Sequence, residues 1–191
     1  MKKFIVLSIG LSCFSLAAAD AAAHRSVFRT SGKNGFEIAG DYLQMAIPIS
    51  ALIYSTIIGD WHGNLQLVGT VATTAVTTEA IKAIVHEDRP YETTKRGDSF
   101  PSGHTSNAFA GSTYWQRRYG WYIGAPMHIA AAYVGFSRVN AGAHYWWDVV
   151  GGAVLGIGIG SLFTTQYVPK GADFSVVPLD GGMMLRFNTE F

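Results

Sequence analysis

Five long apolar stretches run through the chain, and a short polar or glycine-containing segment separates each from the next. Runs of this length without the strict alternation of a strand predict α-helices. The predicted helices cover residues 42–58, 65–86, 104–115, 121–135 and 149–167. The expected fold class is therefore all-α, a bundle of five to six mostly apolar helices. The sixth helix would come from the N-terminal segment if that segment is retained.

The two ends of the chain differ from this helical middle. Residues 1–23 begin with lysines, continue with an apolar run and end in alanines, which predicts a secretory signal peptide or, if uncleaved, a first membrane helix. Residues 24–41 are polar and are predicted as a loop or a surface helix. Residues 171–191 place Asp180-Gly181-Gly182 between two apolar segments, which predicts a short C-terminal β-hairpin. The helical domain is assigned to residues 24–170.

Composition favours a membrane protein. Of 191 residues, 49% are hydrophobic and 14% are charged, which is more apolar than an average soluble protein. The formal net charge of +1, with scattered basic residues, offers no basic surface for nucleic acid. Cys13 is the single cysteine, so neither an intrachain disulfide nor a thiolate metal site can form. The mean hydropathy of +0.19 does not by itself separate a membrane protein from a soluble one.

Basic and aromatic residues indicate how the bundle would cross a membrane. Arg117 and Arg118 form a basic turn between two predicted helices, which the positive-inside rule assigns to the cytoplasm. Tryptophans lie near predicted helix ends, as an aromatic belt requires: Trp61, Trp115, Trp121, Trp146 and Trp147. The helices are therefore expected to be transmembrane in a bacterial inner membrane, with their other ends facing the periplasm. A soluble periplasmic protein is the alternative.

A stripe of small residues marks the last predicted helix. Gly152, Gly156 and Gly160 recur at every fourth position, so they lie on one helical face. Such a stripe allows another helix to approach closely. An ordinary core rich in small residues gives the same pattern, and both interpretations stay open.

Candidate chemistry centres on residues 99–106, where a Pro101-Ser102-Gly103 turn precedes a helix that begins with His104. Such a turn suits an anion, because Gly103 can adopt the positive φ of a backbone nest and the helix directs its first N–H groups toward the loop. Ser102 adds a hydroxyl donor, and His104 adds an imidazole that exchanges protons near neutral pH. A Ser-Gly helix cap without a ligand is the simpler alternative.

Two further clusters lie at predicted helix ends on the same side of the bundle. Lys82 ends one helix and Arg89 follows it, and these two cations can clamp a phosphate if too little acid lies near them to satisfy both. Another cluster contains Arg138, His144 and Asp148. On a helix, His144 and Asp148 would share a face, so the carboxylate would hold one imidazole nitrogen while the other reaches a substrate. Snorkelling cations and a structural His–Asp contact are the alternatives.

The three motifs together resemble those of the type 2 phosphatidic acid phosphatase superfamily, which includes bacterial class A acid phosphatases and vanadium haloperoxidases. The resemblance covers residues 42–167 and includes every motif position: Lys82 with six residues to Arg89-Pro90, Pro101-Ser102-Gly103-His104, and Ser137-Arg138 with five residues to His144 and three more to Asp148. The resemblance implies that His144 attacks phosphorus to form a phosphohistidine, Asp148 orients it, and His104 protonates the leaving oxygen. The implied phosphate-binding residues are Lys82, Arg89, Ser102, Gly103 and Arg138.

These roles predict a phosphatase, a phosphoric ester hydrolase that needs neither metal nor cofactor. The expected substrate is a phosphate monoester or diphosphate of a membrane lipid, namely lipid A, phosphatidylglycerol phosphate or an isoprenyl diphosphate, because the motifs end apolar helices near head-group depth. The expected partners are this lipid and the membrane, with neither nucleic acid nor an obligate protein partner. The alternatives are a soluble periplasmic acid phosphatase of broad specificity, a vanadate-dependent haloperoxidase, and a non-catalytic lipid- or phosphate-binding membrane protein.

Overall fold

The computed structural model describes residues 35–90, 98–169, 173–179 and 182–188. Five α-helices are followed by two β-strands. The helices are α1 (Gly35–Ile57), α2 (Trp61–Val85), α3 (Gly103–Tyr119), α4 (Trp121–Asn140) and α5 (Trp146–Phe163). The predicted bundle of five helices is confirmed for the described residues. The signal peptide or membrane helix predicted for residues 1–23 lies outside them.

Helix α1 begins earlier than its apolar pattern predicts. Residues 24–41 are expected to form a loop or a surface helix, yet α1 starts at Gly35 and packs into the bundle. Phe36 explains the difference, because its ring lies against Tyr133 and Phe136 of α4 with centroids 4.4 and 5.7 Å apart. Packing of this kind stabilises a helical turn whose own sequence is only weakly helix-forming.

The chain turns sharply between α1 and α2 because Asp60 caps the second helix. Asp60 Oδ1 accepts a hydrogen bond from the Gly63 N–H at 2.9 Å. The same carboxylate pairs with Arg118, whose Nη2 lies 2.6 Å from Oδ1, and it accepts a hydrogen bond from the Tyr119 hydroxyl. Asp60, Arg118 and Tyr119 are called the closed-end cluster below. Of the two arginines in the predicted basic turn, only Arg117 is exposed, because Arg118 is buried in its ion pair with Asp60.

Helix α3 is the centre of the bundle and contacts each of the other four helices. Small and hydroxyl-bearing residues along it allow its neighbours to approach the backbone. A Cβ atom added to Gly156 of α5 would lie 2.4 Å from the Ser106 carbonyl oxygen, and one added to Gly152 would lie 2.7 Å from that of Ser102. The close-approach interpretation of the glycine stripe is therefore confirmed, with α3 as the partner helix.

The outer surface of the bundle is apolar. Many large hydrophobic side chains on the outer helices are exposed. Five of them are between 67% and 83% exposed: Val76, Ile84, Ile129, Val154 and Leu162. By length and composition, two helices of the described chain qualify as membrane spans, Trp61–Val85 and Trp146–Phe163. An apolar exterior around a core of small and polar residues is typical of a helical bundle in a membrane.

The predicted aromatic belt forms only in part. Trp61, Trp121 and Trp146 lie near helix ends and are 52% to 69% exposed. Trp115 is instead buried, and its indole N–H donates to the Ile47 carbonyl oxygen inside the core. The interpretation of Trp115 as an interfacial residue is therefore wrong.

The described strands after the helices form a two-stranded sheet. β1 (Asp173–Leu179) pairs antiparallel with β2 (Gly182–Asn188), and the register places Val176 opposite Leu185. Leu179 pairs with Gly182 next to the connection. The predicted C-terminal hairpin is confirmed.

Candidate active site

All three sequence motifs contribute to one cavity at the end of the bundle where α2 and α4 finish and α3 begins. Its volume is about 310 Å³. Six of the eight predicted site residues line it, namely Lys82, Arg89, Gly103, His104, Arg138 and His144. Ser102 and Asp148 lie behind this lining. The topology therefore brings together groups that the sequence places far apart.

His144 and Asp148 contact each other, although not across a shared helical face. His144 precedes α5, and Asp148 lies in the first turn of that helix. His144 Nδ1 is 3.3 Å from Asp148 Oδ2. This oxygen also accepts hydrogen bonds from the Tyr145 backbone N–H at 2.9 Å and the Ser99 hydroxyl at 2.5 Å. The fixed carboxylate orients the imidazole and leaves Nε2 as the nitrogen that can meet a substrate.

The surroundings of His144 favour its neutral form. Burial lowers the pKa of His144 most strongly, and the positive charges of Arg89 and Lys82 lower it further, whereas Asp148 opposes them. The balance leaves this pKa below its ordinary value. A neutral imidazole that donates from Nδ1 to Asp148 carries a lone pair on Nε2, as a nucleophile requires.

The two cations of the first motif are both held by Asp98. Arg89 Nε and Nη2 lie 2.8 and 3.2 Å from the two carboxylate oxygens of Asp98. Lys82 Nζ donates to the Asp98 backbone carbonyl at 2.8 Å. The premise that too little acid lies near these cations is therefore wrong for Arg89. A guanidinium has five N–H groups and an ammonium has three, so these contacts leave donors for the oxygens of a bound anion.

A residue of α1 joins the second and third motifs. Asp41 Oδ1 lies 2.7 Å from Arg138 Nη1 and 3.2 Å from His104 Nε2. Arg138 is buried, and it also donates to the Glu37 carbonyl at 2.8 Å and to the Ser137 hydroxyl at 3.1 Å. Asp41 therefore positions an arginine and an imidazole relative to each other at the cavity wall.

The second motif is placed partly as predicted. His104 lies in the first turn of α3 and reaches the cavity. Gly103 also lines the cavity, but it begins the helix without the positive φ predicted for it. Ser102 is fully buried, its hydroxyl accepting a hydrogen bond from Thr105 Oγ1 at 3.0 Å and its N–H donating to the Asp148 carbonyl. In this arrangement Ser102 links α3 to α5 and does not line the cavity.

The sequence interpretation does not include four residues that contact motif side chains: Asp41, Glu87, Asp98 and Ser99. Glu87 lies inside the first motif, and Asp98 and Ser99 directly precede the second, so sequence proximity is a signal for these three. Asp41 is 97 residues from Arg138, and only the packing of α1 brings the two together. An acidic residue just before an apolar run was the single available hint for Asp41.

Comparison with known proteins gives the same picture. The model of the PAP2 superfamily matches residues 63–172. The chain belongs to the PAP2 superfamily. This PAP2 protein is 33% identical over 145 residues to the lipid A 4'-phosphatase of Helicobacter pylori, covering 70% of this chain and 72% of that protein. The predicted superfamily is confirmed, and so is the predicted enzyme class, a phosphoric ester hydrolase.

Two further comparisons extend the family relationship. The undecaprenyl-diphosphatase BcrC of Bacillus subtilis is 44% identical over 68 residues, which cover 34% of this PAP2 chain and 33% of that protein. The crystal structure of LpxE from Aquifex aeolicus aligns with a TM-score of 0.59 and 22% sequence identity, covering 70% of this chain and 87% of that chain. The structural likeness shows that the helical fold is shared.

Proposed function

We propose that this PAP2 protein removes phosphate from a phosphorylated membrane lipid through a phosphohistidine intermediate, at the periplasmic face of the inner membrane. One observation carries the proposal: a cavity in which His144, held by Asp148, shares one small space with His104 and three cations. Transfer of a phosphoryl group uses all of these residues, because it needs a nucleophile, a proton for the leaving oxygen and positive charge around phosphorus.

The proposed first step forms a bond between His144 Nε2 and phosphorus while the P–O bond to the lipid breaks. His104 gives its proton to the departing lipid oxygen. The negative charge on the other phosphate oxygens is stabilised by three cations, Lys82, Arg89 and Arg138. In the second step, water gives a proton to His104 and its oxygen bonds to phosphorus. The N–P bond breaks, which releases inorganic phosphate and restores neutral His144.

The position of the cavity supports a lipid substrate. Its residues end helices whose outward side chains are apolar, so a lipid phosphate at head-group depth would already be near the cavity. A volume of about 310 Å³ suits a phosphate head group and leaves the acyl or glycan part outside. Relatives named for lipid A and undecaprenyl diphosphate support the same class. The candidates are lipid A, phosphatidylglycerol phosphate and isoprenyl diphosphates.

The substrate class can be tested in mixed micelles. We expect kcat/KM for a long-chain lipid phosphate to exceed that for a soluble phosphomonoester with the same head group by about tenfold or more, because the lipid part supplies binding energy. Equal efficiencies, in a protein that extracts into buffer without detergent, would overturn the lipid assignment. They would favour the soluble periplasmic acid phosphatase.

The intermediate can be tested by rapid quenching with radiolabelled substrate. We expect acid-labile, alkali-stable label on the wild-type protein, as a phosphohistidine requires, and none on His144→Ala. With an aryl phosphate, His104→Ala should accumulate more label, since the second step lacks its proton acceptor. Label that survives acid, or that persists in His144→Ala, would contradict the phosphohistidine.

The orientation can be tested with single cysteines in a Cys13→Ser background. Asp88 is exposed beside the first motif, and Tyr122 is 97% exposed at the other end of the bundle. A membrane-impermeant thiol reagent should label Asp88→Cys, and not Tyr122→Cys, in cells with a permeabilised outer membrane and an intact inner membrane. The reverse pattern would put the cavity on the cytoplasmic side.

A further inference from the structure

One of the two carboxylate oxygens of Asp148 lacks a hydrogen-bond donor among the described residues. Oδ2 receives three hydrogen bonds, from His144, Ser99 and the Tyr145 N–H. Oδ1 is fully buried, and among the described residues it has no hydrogen-bond partner when both neighbouring carboxyl groups are ionised. Leaving a buried carboxylate oxygen unsatisfied is costly. A neighbour that becomes a donor when it is protonated is therefore expected at this oxygen.

Glu87 is that neighbour. Glu87 adjoins the residues that surround Asp148, and the Asp148 carboxylate is one of the groups that raise the pKa of Glu87. Trp147 Nε1 donates to Glu87 Oε1 at 2.8 Å, and the Ser99 N–H donates to the Glu87 backbone carbonyl at 2.9 Å. Because an indole N–H can only donate, Oε1 is an acceptor, and Oε2 is the oxygen that can carry a proton toward Asp148.

Burial and the neighbouring carboxylate of Asp148 favour the neutral form of the Glu87 side chain. Burial raises the pKa of Glu87 most, and the negative charge of Asp148 raises it further, against a lowering by the Trp147 hydrogen bond. The two cations of the first motif, Lys82 and Arg89, line the cavity and bond to Asp98. Glu87 itself does not line the cavity, so it is not placed to touch substrate.

We propose that Glu87 is a positioning residue for the nucleophile, a neutral acid that donates a hydrogen bond to Asp148 Oδ1 and so holds Oδ2 toward His144. This inference rests on the proposed role of His144 as nucleophile. The proton stays on Glu87 throughout the reaction. If Glu87 lost it, a second negative charge beside Asp148 would favour protonated His144, which cannot attack phosphorus.

The test compares two substitutions across a pH series. Glu87→Ala removes the donor, and we expect kcat to fall about 10- to 100-fold, the effect of one hydrogen bond to a charged group. KM should not change, because Glu87 lies outside the cavity lining. Glu87→Gln keeps an N–H donor at every pH and should retain most of kcat at neutral pH. Asp88→Asn, which removes an exposed carboxyl next in the chain, is the matched control.

The pH profile distinguishes this role from a purely structural one. An aryl phosphate is used, because its leaving oxygen needs little help from the His104 proton, so loss of that proton does not itself produce a basic limb. With this substrate, wild-type kcat should fall as pH rises through the folded-state pKa of Glu87, and Glu87→Gln should lack this basic limb. Trp147→Phe removes a hydrogen bond that lowers the pKa of Glu87, so its limb should move to higher pH. Asp88→Asn should keep the wild-type profile.

Several outcomes would overturn the inference. The inference is wrong if Glu87→Ala has the same kcat as the wild type, or if Glu87→Gln keeps the basic limb of the wild-type pH profile. If Glu87→Ala fails to fold in detergent, the basic limbs of the pH profiles of Glu87→Gln and Trp147→Phe test the inference in its place. A wild-type protein that releases no phosphate, or an active His144→Ala, would instead disprove the proposed function and with it the role of Glu87.

Discussion

Both ends of the bundle bury an arginine paired with an aspartate, but the side chains around the two ion pairs differ. In the closed-end cluster, Arg118 bonds to Asp60 and donates to the Thr165 and Gln166 carbonyls. At the motif end, Arg138 bonds to Asp41 at the wall of a cavity that also holds an oriented imidazole. The two buried ion pairs therefore differ in their neighbours, and the proposed function assigns a role in phosphate binding to Arg138 alone.

Cavity size alone does not distinguish the two ends. A cavity of about 730 Å³ lies beside the closed-end cluster, compared with about 310 Å³ at the motif end. Its lining includes Trp61, His62 and Tyr167, and none of the eight predicted site residues. Among the described residues, no carboxylate forms an ion pair with His62 of the larger cavity, whereas His144 of the smaller cavity is held by Asp148.

The largest effect is expected at the motif end, from His144→Ala. Turnover should fall by at least about 10³-fold, since the substitution removes the nucleophile. The thermal midpoint in detergent should stay close to that of the wild type. Phosphate release from a lipid phosphate in mixed micelles measures the effect. A loss of less than tenfold in a folded protein would mean that another group attacks phosphorus.

His104→Ala should have the next largest effect, and its size should depend on the leaving group. An alkyl phosphate needs its leaving oxygen protonated, so its rate should fall about 10²- to 10⁴-fold. An aryl phosphate is a better leaving group and should be slowed much less. The measurement is the ratio of the two rates in wild type and variant. Equal slowing of both substrates would exclude His104 as the leaving-group acid.

At the closed end, Arg118→Met should affect stability and leave catalysis intact. Removing the arginine leaves Asp60 buried without its cation, which should lower the free energy of unfolding by about 3–5 kcal/mol. Arg117→Met, at the exposed neighbour, should change it by less than about 0.5 kcal/mol. Unfolding in detergent and kcat per folded molecule are measured together. A selective loss of kcat would show that the two ends are coupled.

The smallest effect is expected from a chelator. The cavity offers imidazoles, cations and backbone donors. Of the carboxylates near it, Asp98 and Asp41 are engaged with arginines, and Glu79 lies where its charge acts on Lys82. Activity should change by less than about twofold in EDTA, because divalent ions prefer carboxylate oxygens that are available to them. Vanadate, which adopts the geometry of phosphoryl transfer, should inhibit. Loss in EDTA with recovery on adding a divalent metal would refute metal independence.

The meeting of six predicted site residues at one cavity could be anticipated, because their motifs lie at predicted helix ends on the same side of the bundle. Helix number was also predictable, since long apolar runs separated by Gly- or Pro-containing breaks have few other solutions. The contact of His144 with Asp148 followed from their spacing, although the sequence favoured a shared helical face over a loop-to-helix contact.

The errors fall where contacts between distant residues decide the outcome. The burial of Arg118 could not be predicted, because Asp60, its partner, is 58 residues away. Trp115 was predicted at the membrane interface because the predicted helix ends there. The helix instead continues to Tyr119, and Trp115 lies in the core. The backbone of Gly103 was mispredicted because α3 begins one residue before the predicted start. Asp41 could not be found without the packing of Phe36.

The glycine stripe has a consequence for the genetics of this protein. Gly152 and Gly156 place α5 against the backbone of α3, so the separation between the helices that carry Asp148 and His104 is set by main-chain contact. A larger residue at Gly156 would push α3 and α5 apart, and with them His104 and Asp148, without touching either residue. Screens for inactive alleles should therefore recover substitutions deep in the bundle, at positions that do not line the cavity.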